Sequence, residues 1–488
     1  MLRKRNEPKC KSCVAAHTAA ELARAASNAQ QSQLKFTCAQ CKENKAISSF
    51  SKTQSKRPAP VCLDCLTNEI QSQENGNAPL LIISTTTIHH KRDITEPSVS
   101  IELRRYSKMK RLRKRLRAIC AEFGAEAPLL AFDRWISRAQ LRTCDGARPD
   151  PLIPHSKKID ERLVADLCRI DVLTPVAQDI ASRMVLESEH AIEALKTDLS
   201  EADTSQVIME WRGSVARISV RGMRRPFVEV SRDHLRKLSI LYSSACEEDA
   251  SDDTFRRRLF CMCLRYEALG CHGYQAAIGP LVFKVLRDYL CVEVECFASP
   301  LNSTLRNYCS AFPDVDAPFG SCGSFFSYRP HRGSFEVNPP FEPELMCFAV
   351  EHASCLVESA ESLNEPLSFA FIVPTWDRLP FHCKLVNSNW LRGKPIFLDA
   401  ESHGFVDGSQ HTKCPKDRLR GSSFGTTVAI LQSSRAADLW PVSDKLTEEI
   451  VIAFRATQPR ACDVALRMAR FDGDAVSLLM KRRRKLER

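Results

Sequence analysis

The stretch Gly333-Ser-Phe-Glu-Val337 runs directly into Asn338-Pro339-Pro340-Phe341, and two consecutive prolines leave the chain few conformations there. Each proline fixes φ near about −65° and removes its own N–H, so a strand cannot pass through the pair in mid-sheet. The resulting turn is stiff, and its carbonyls stay directed one way. The Asn338 side-chain carbonyl and the Pro339 main-chain carbonyl can each accept one N–H of an exocyclic amine. Such an amine on adenine is a poor nucleophile, because its lone pair is delocalised into the ring; two acceptors turn that lone pair outward. Phe341 offers a π-face for a purine, worth on the order of 1–3 kcal/mol. A Pro-Pro turn ahead of an apolar helix would also explain these four residues, so the surrounding sequence has to decide between the two.

With 488 residues and 54.9 kDa the chain exceeds one compact core, which implies two or three units. The net charge of +11 is clumped: Arg104 to Arg117 holds nine Lys or Arg, enough for a patch that tracks a polyanion backbone. The amino terminus is not followed by an apolar signal core, and no apolar run approaches the roughly 20 residues of a membrane helix. A soluble, non-secreted protein without a membrane partner is expected. Most of the 22 cysteines are scattered singly through apolar segments, as reduced thiols would be. The run Lys481-Arg-Arg-Arg-Lys485 reads either as a solvated helix end or as a nuclear-import signal, and the nucleus is the expected location.

Five segments follow from pattern. Residues 1–66 are punctuated by cysteine, and 67–98 are polar without sustained periodicity, as in a linker. From 99 to 210 apolar residues recur at helical spacing, notably in RRYSKMKRLRKRLRAICAEF and AQDIASRMVLESEHAIEALKTDL, which predicts a helical domain. Between 211 and 440 strand-like runs such as VARISV, VEVECFAS and LSFAFIVPTW alternate with helix-like ones, predicting an α/β sheet domain. Residues 441–488 read as a carboxy-terminal helix and basic tail.

Cys38-Ala-Gln-Cys41 and Cys62-Leu-Asp-Cys65 are two CxxC pairs twenty residues apart, the four thiolates that a structural, tetrahedral Zn²⁺ requires. Cys10-Lys-Ser-Cys13 is a third pair, whose completion as a second zinc site would recruit His17. These runs resemble the LIM-like tandem zinc-finger domain first described in a heterochromatin adaptor. That resemblance implies a docking module for chromatin or transcription machinery, or for nucleic acid, and no chemistry.

ECFASPLN at 295–302, NYCSAFPDVDAPFGSCGSFF at 307–326, GSFEVNPPFEPELM from 333, EPLSFAFIVPTW and DGSQH together resemble the phosphorylated CTD-interacting factor family, cap-specific adenosine-N6 methyltransferases. FDRW at 132–135, DPLIP at 150–154, FVEVSRDHLRKL at 227–238 and LRYEALG at 264–270 extend the likeness over roughly 100 to 440. It implies a helical domain preceding a Rossmann-like methyltransferase domain, S-adenosyl-L-methionine as methyl donor and capped mRNA as partner. The product would be a doubly methylated adenosine beside the cap. Because that donor is already activated, no covalent nucleophile is needed. Asn338, Pro339, Pro340 and Phe341 would then be catalytic. Ala298, Ser299, Pro300 and Asn302, at a strand end where α/β sheets bind ligands, and Glu344 would hold the cofactor. Arg134 and Arg162 would meet the cap and its phosphates, for which the planar guanidinium fork is suited. Trp376 either covers the substrate or packs in the core, and His403, Gln410 and His411 either close over the site or belong to a plain surface turn. The family's WW pattern is missing, since none of the five tryptophans opens it. Two other readings remain open: N6-adenine methylation of internal RNA or DNA, and a catalytically silent, RNA-binding zinc-finger adaptor.

Overall fold

The computed structural model describes residues 35–37, 44–46 and 96–459, apart from 129, 142–149, 156–158, 197–202, 247–250, 271–275, 409 and 414–417. The six cysteines assigned to zinc and the Lys481–Lys485 run lie outside the described residues. The chain divides into two units, Met1–Ser84 and Thr85–Arg488. In the first, strands β1 (Lys35–Thr37) and β2 (Asn44–Ala46) pair antiparallel with Phe36 opposite Lys45. The residues that connect them include Cys38 and Cys41.

The second unit starts with helix α1 (Val99–Glu122), capped by Ser98, whose hydroxyl accepts from the Ile101 N–H. Its buried positions Glu102, Arg105, Met109, Leu112, Leu116 and Ile119 alternate by three and four, the stripe of a helix with one face inward. The basic run of α1 is thereby divided. Arg105 is buried against Asp150 at 2.8 Å, and Arg113 turns to the carbonyls of Ala268 and Leu269. Lys110, Arg111, Lys114 and Arg117 stay on the exposed side.

Three further helices follow, α2 (Ala131–Leu141), α3 (Glu161–Cys168) and α4 (Thr174–Lys196). An antiparallel sheet of β3 (Val207–Arg212), β4 (Val215–Val220) and β5 (Phe227–Ser231) then leads into α5 (Arg232–Ala245) and α6 (Asp252–Leu269). All of these share one apolar core, in which Trp135, Met184, Ile218, Leu238 and Phe260 are buried. The strand-like character after 211 thus begins inside the core that the helices build, because β4 and β5 alternate buried and half-buried residues and lay one face on it.

The larger sheet follows α7 (Pro280–Leu290) and has the order β10-β13-β9-β8-β6-β7. Its strands are β6 (Val294–Ala298), β7 (Asn307–Ser310), β8 (Gly333–Val337), β9 (Leu367–Pro374), β10 (Leu391–Leu398) and β13 (Thr426–Gln432). β7, β6, β8 and β9 run parallel, while β13 is antiparallel to both β9 and β10. β11 (Gly404–Val406) and β12 (Leu419–Gly421) form a separate pair. Every residue of β9 is buried, as expected of a central strand covered on both faces. One face packs on α9 (Pro343–Ser362) and α10 (Pro380–Val386), and the other on α7 and α12 (Asp444–Ala456). This is a mixed α/β protein around a mostly parallel sheet, the sheet order fitting a methyltransferase fold.

Two consecutive residues of α6 hold the outer edge of that sheet. Arg265, 1% exposed, donates to Glu102 of α1 at 3.0 Å and to Asp314 at 2.8 Å. Tyr266 donates at 2.7 Å to Asp316, which lies with Asp314 in the one-turn helix α8 (Pro313–Asp316) just after β7. Removing one partner from a buried ion pair strands the other. Arg265→Met is therefore expected to destabilise the protein by about 3–5 kcal/mol, read by denaturant unfolding. Burial raises the Asp316 carboxyl from the usual 3.8 to about 7, partly offset by the Tyr266 hydroxyl. The folded state thus holds this proton more tightly than the unfolded chain. Its stabilising effect is complete below about pH 4 and is lost as the pH rises to about 7. In Asp316→Asn the decline of stability across that window should be shallower than in the parent protein.

Candidate active site

The chain leaves β6 toward β7 on one side of the sheet and toward β8 on the other, so the strand order reverses between β6 and β8. Ligands of open α/β sheets bind outside the carboxyl ends of strands at such a point. The residues there are Ala298 at the end of β6, Ser299 just after it, and Asn338-Pro339 after β8.

Asn338 is 7% exposed, and its Nδ2 donates to the Ala276 main-chain carbonyl at 3.1 Å. That bond settles which end of the amide is the acceptor. Its Oδ1 is buried and has no hydrogen-bond partner. A buried acceptor left unpaired costs about 1–3 kcal/mol, which marks the atom as awaiting a donor. Ala276 is held in place by its neighbour: Ala277 and Val406 exchange two main-chain hydrogen bonds, of 2.9 and 2.8 Å.

The next residues distribute their carbonyls unequally. The Pro340 carbonyl accepts from the Glu342 N–H at 2.7 Å and is already used inside the turn. Glu342 is the N-cap of α9, its Oε2 accepting from the Leu345 N–H at 2.9 Å. Phe341 is half-buried between the two cores of the sheet. Its ring makes T-shaped contacts with Trp376, Phe405 and Phe424, at centroid distances of 6.5, 6.0 and 5.2 Å. Three such contacts fix the plane of the ring.

The turn after β6 is closed on itself. The Asn302 Oδ1 accepts from the Ser299 N–H at 2.7 Å and from the Ser299 hydroxyl at 2.8 Å. Ser299, Pro300 and Asn302 are buried, and Ala298 is half-buried at the strand end. Glu295 of β6 accepts from the Thr304 N–H at 2.6 Å and anchors the rest of the loop. Glu295 stands beside Glu336 of β8 in register. Burial raises both carboxyls, and Glu295 raises Glu336 further; burial lowers the nearby Lys237 ammonium.

The helices contribute from the other side. Arg162 of α3 pairs with Glu344 in the first turn of α9 at 2.8 Å, so these two residues meet each other. Arg134 of α2 donates to Asp166 at 2.7 Å and is about one-third exposed. Trp376 is half-buried against Phe341 and Phe381. His403 lies elsewhere than on a surface turn: it is fully buried, with Nδ1 3.0 Å from the Asp399 carbonyl and Nε2 2.7 Å from the Thr426 hydroxyl. Its ring touches Phe405, so it supports the site through that aromatic contact. His411 is buried, and it shares the one-turn element Gln410–Thr412 with Gln410, whose side chain is outside the described residues. Among the described residues no group of three or more His, Cys, Asp or Glu is arranged to hold a metal, and no helix is long and apolar enough to cross a membrane.

Sequence reasoning missed Ala276, Phe405, Phe424, Arg138 and Glu342. Ala276 acts through its backbone and carries no signal. Arg138, four residues after Arg134, shares its helical face and was legible from spacing.

The sheet order and a stiff Asn-Pro-Pro-Phe turn at the switch point define a methyltransferase-type α/β fold. Residues 237–408 match the family described as "Phosphorylated CTD interacting factor 1 WW domain". The matched segment runs through α6, α7 and strands β6 to β11, the α/β part of the molecule. The chain is 33% identical over 313 residues to the human "mRNA (2'-O-methyladenosine-N(6)-)-methyltransferase", covering 62% of this chain and 43% of that protein. The mouse protein of the same description matches equally over 42% of its length. The matched region thus spans less than half of these relatives.

From this geometry, Phe341→Ala should leave the fold intact but loosen Trp376, seen as a shift in intrinsic tryptophan fluorescence with an unfolding midpoint lowered by no more than a large-to-small core change of about 3–5 kcal/mol.

Proposed function

We propose that this chain is an S-adenosylmethionine-dependent methyltransferase acting on N6 of the 2'-O-methyladenosine next to the 7-methylguanosine cap of mRNA. The observation that carries the proposal is the buried, unpaired Asn338 Oδ1, fixed in orientation by the Nδ2 bond to Ala276. S-adenosylmethionine, when bound, supplies an activated methyl group.

Asn338 Oδ1 accepts one N6–H of the adenine, and the Pro339 carbonyl accepts the other. The Pro340 carbonyl is committed to Glu342 and takes no part. Two acceptors and no donor favour an amine over a keto oxygen. Phe341, held by its three ring contacts, stacks on the purine. The crevice residues Ala298 to Asn302 form the cofactor wall, a stiff one because Asn302 bonds back to Ser299. Arg134 and Arg162 are paired to carboxylates with part of each guanidinium exposed, so an incoming phosphate exchanges one anion for another at little desolvation. The exposed Lys110, Arg111, Lys114 and Arg117 of α1 extend the path for the RNA backbone.

Zinc in the amino-terminal unit belongs to the same proposal. The β1–β2 hairpin is joined by the segment that contains Cys38 and Cys41, a fitting context for a zinc knuckle. Such a module would dock chromatin or transcription machinery, in keeping with a nuclear location.

Asn338→Ala is expected to lower methyl transfer to capped RNA beginning with 2'-O-methyladenosine by about 100-fold or more, with an unchanged unfolding midpoint. The assay uses purified protein, labelled methyl donor and RNAs differing in cap and first nucleotide. An undiminished rate in this variant refutes the assignment of the turn; equal rates on uncapped RNA or DNA would transfer the proposal to internal adenine.

A further inference from the structure

Arg138 is a buried cation that the reaction outlined above does not use. It lies on α2, 2% exposed, among three carboxylates. Its Nε is 3.6 Å from Asp160, and its Nη1 is 3.5 Å from Asp166 and 3.8 Å from Glu342. Charge-assisted hydrogen bonds between such groups close to about 2.7–2.9 Å, so all three contacts stand open. Correspondingly, Arg138 Nε and Nη2 and Asp166 Oδ2 have no hydrogen-bond partner. Buried, unbonded charges are unfavourable, and an arrangement that leaves several together gains from a small closing movement.

Two of the carboxylates belong to α3 and the third to α9. Asp160 caps α3, accepting from the N–H groups of Arg162 and Leu163 at 3.0 and 2.9 Å. Asp166 is held on its other oxygen by Arg134 at 2.7 Å and by Arg169 at 3.0 Å. Glu342 caps α9 immediately after the Asn338–Phe341 turn. The same Nη1 faces Asp166 and Glu342, so a movement of about 1 Å closes both.

We propose that Arg138 is a positioning residue, a latch between Asp166 and Glu342 that links occupancy of the Arg134 face by an RNA anion to the set of the Asn338–Phe341 turn. An anion that draws Arg134 away from Asp166 leaves that carboxylate with Arg169 alone where it had two close cations. Arg138 supplies the second, and because Glu342 shares Arg138, the turn is pulled toward α2 in the same movement. Burial raises the Glu342 carboxyl and Arg138 opposes that shift, as expected of a pair already coupled through space.

The inference rests on the methyltransferase reading, and the experiment separates the two. Glu342→Gln keeps a carbonyl to cap α9 but loses the charge that Arg138 needs. At saturating RNA and cofactor, Glu342→Gln and Arg138→Met should each lower kcat about tenfold to a hundredfold. The KM for cofactor should stay within about twofold of the parent value. The double variant should be no slower than the slower single one, and Arg138→Lys should recover part of the loss. Arg134→Ala should lower kcat as well as raise the KM for RNA, and its kcat effect should vanish in the Glu342→Gln background. Thermal unfolding identifies any variant that fails to fold; if Arg138→Met does, Arg138→Lys with and without Glu342→Gln decides the same question. Parent-like kcat in Glu342→Gln, multiplying losses in the double variant, or an Arg134→Ala effect confined to KM each overturns the latch. A parent protein that methylates no adenosine overturns the methyltransferase reading itself, before any substitution is tested.

Discussion

The hydrogen bond from Asn338 Nδ2 to the Ala276 carbonyl is the contact on which the site depends. An amide side chain at the end of a strand can present either its oxygen or its nitrogen, and the two faces select opposite ligands. With the nitrogen committed, the oxygen is left as a buried acceptor without a partner. The commitment is secured at a distance, because Ala276 is placed by the paired backbones of Ala277 and Val406. The site therefore requires the segment before α7 and the strand β11 to be in place together, the first through its backbone and the second also through the Phe405 ring against Phe341.

Two apolar cores flank the larger sheet, and a third lies beneath the helices α1 to α6 and reaches Leu301 and Phe312. The joints between the helices and the sheet are polar: Arg265, itself buried, with Glu102 and Asp314, and Tyr266 with Asp316. Apolar packing is non-directional and would tolerate sliding of one part over another. Paired buried charges tolerate it far less, since each is costly once its partner moves. The molecule thus fixes the helices relative to the turn by directional contacts at a few points.

Much of this was legible in the sequence where local rules and tertiary structure agree. The stripe of α1, the apolar β9 and the break after Val337 follow from periodicity and from the two prolines. The boundary between strand-rich and helical parts was less legible, because β3 to β5 look like any half-buried hairpin and only their packing partner assigns them. Residues acting through the backbone, such as Ala276, leave no mark on composition. His403 illustrates the reverse. A histidine near a Gly-containing loop reads either as a group that closes over the site or as part of a surface turn, yet here two hydrogen bonds satisfy it inside the core.

The position of α9 adds a last constraint. Its amino terminus begins one residue after Phe341, and the positive end of a helix dipole disfavours a cation nearby. The sulfonium of the proposed methyl donor would be such a cation. Glu342 at the cap and Glu344 in the first turn offset the dipole; from the helical side Arg162 pairs with Glu344 at 2.8 Å, while Arg138 stands 3.8 Å from Glu342. The arginines keep the carboxylates in place while sharing their charge, so the field at the turn depends on how tightly those pairs are drawn. Through Arg162 and Glu344 the helical part thus bears on the electrostatics of the turn without contributing an atom to it.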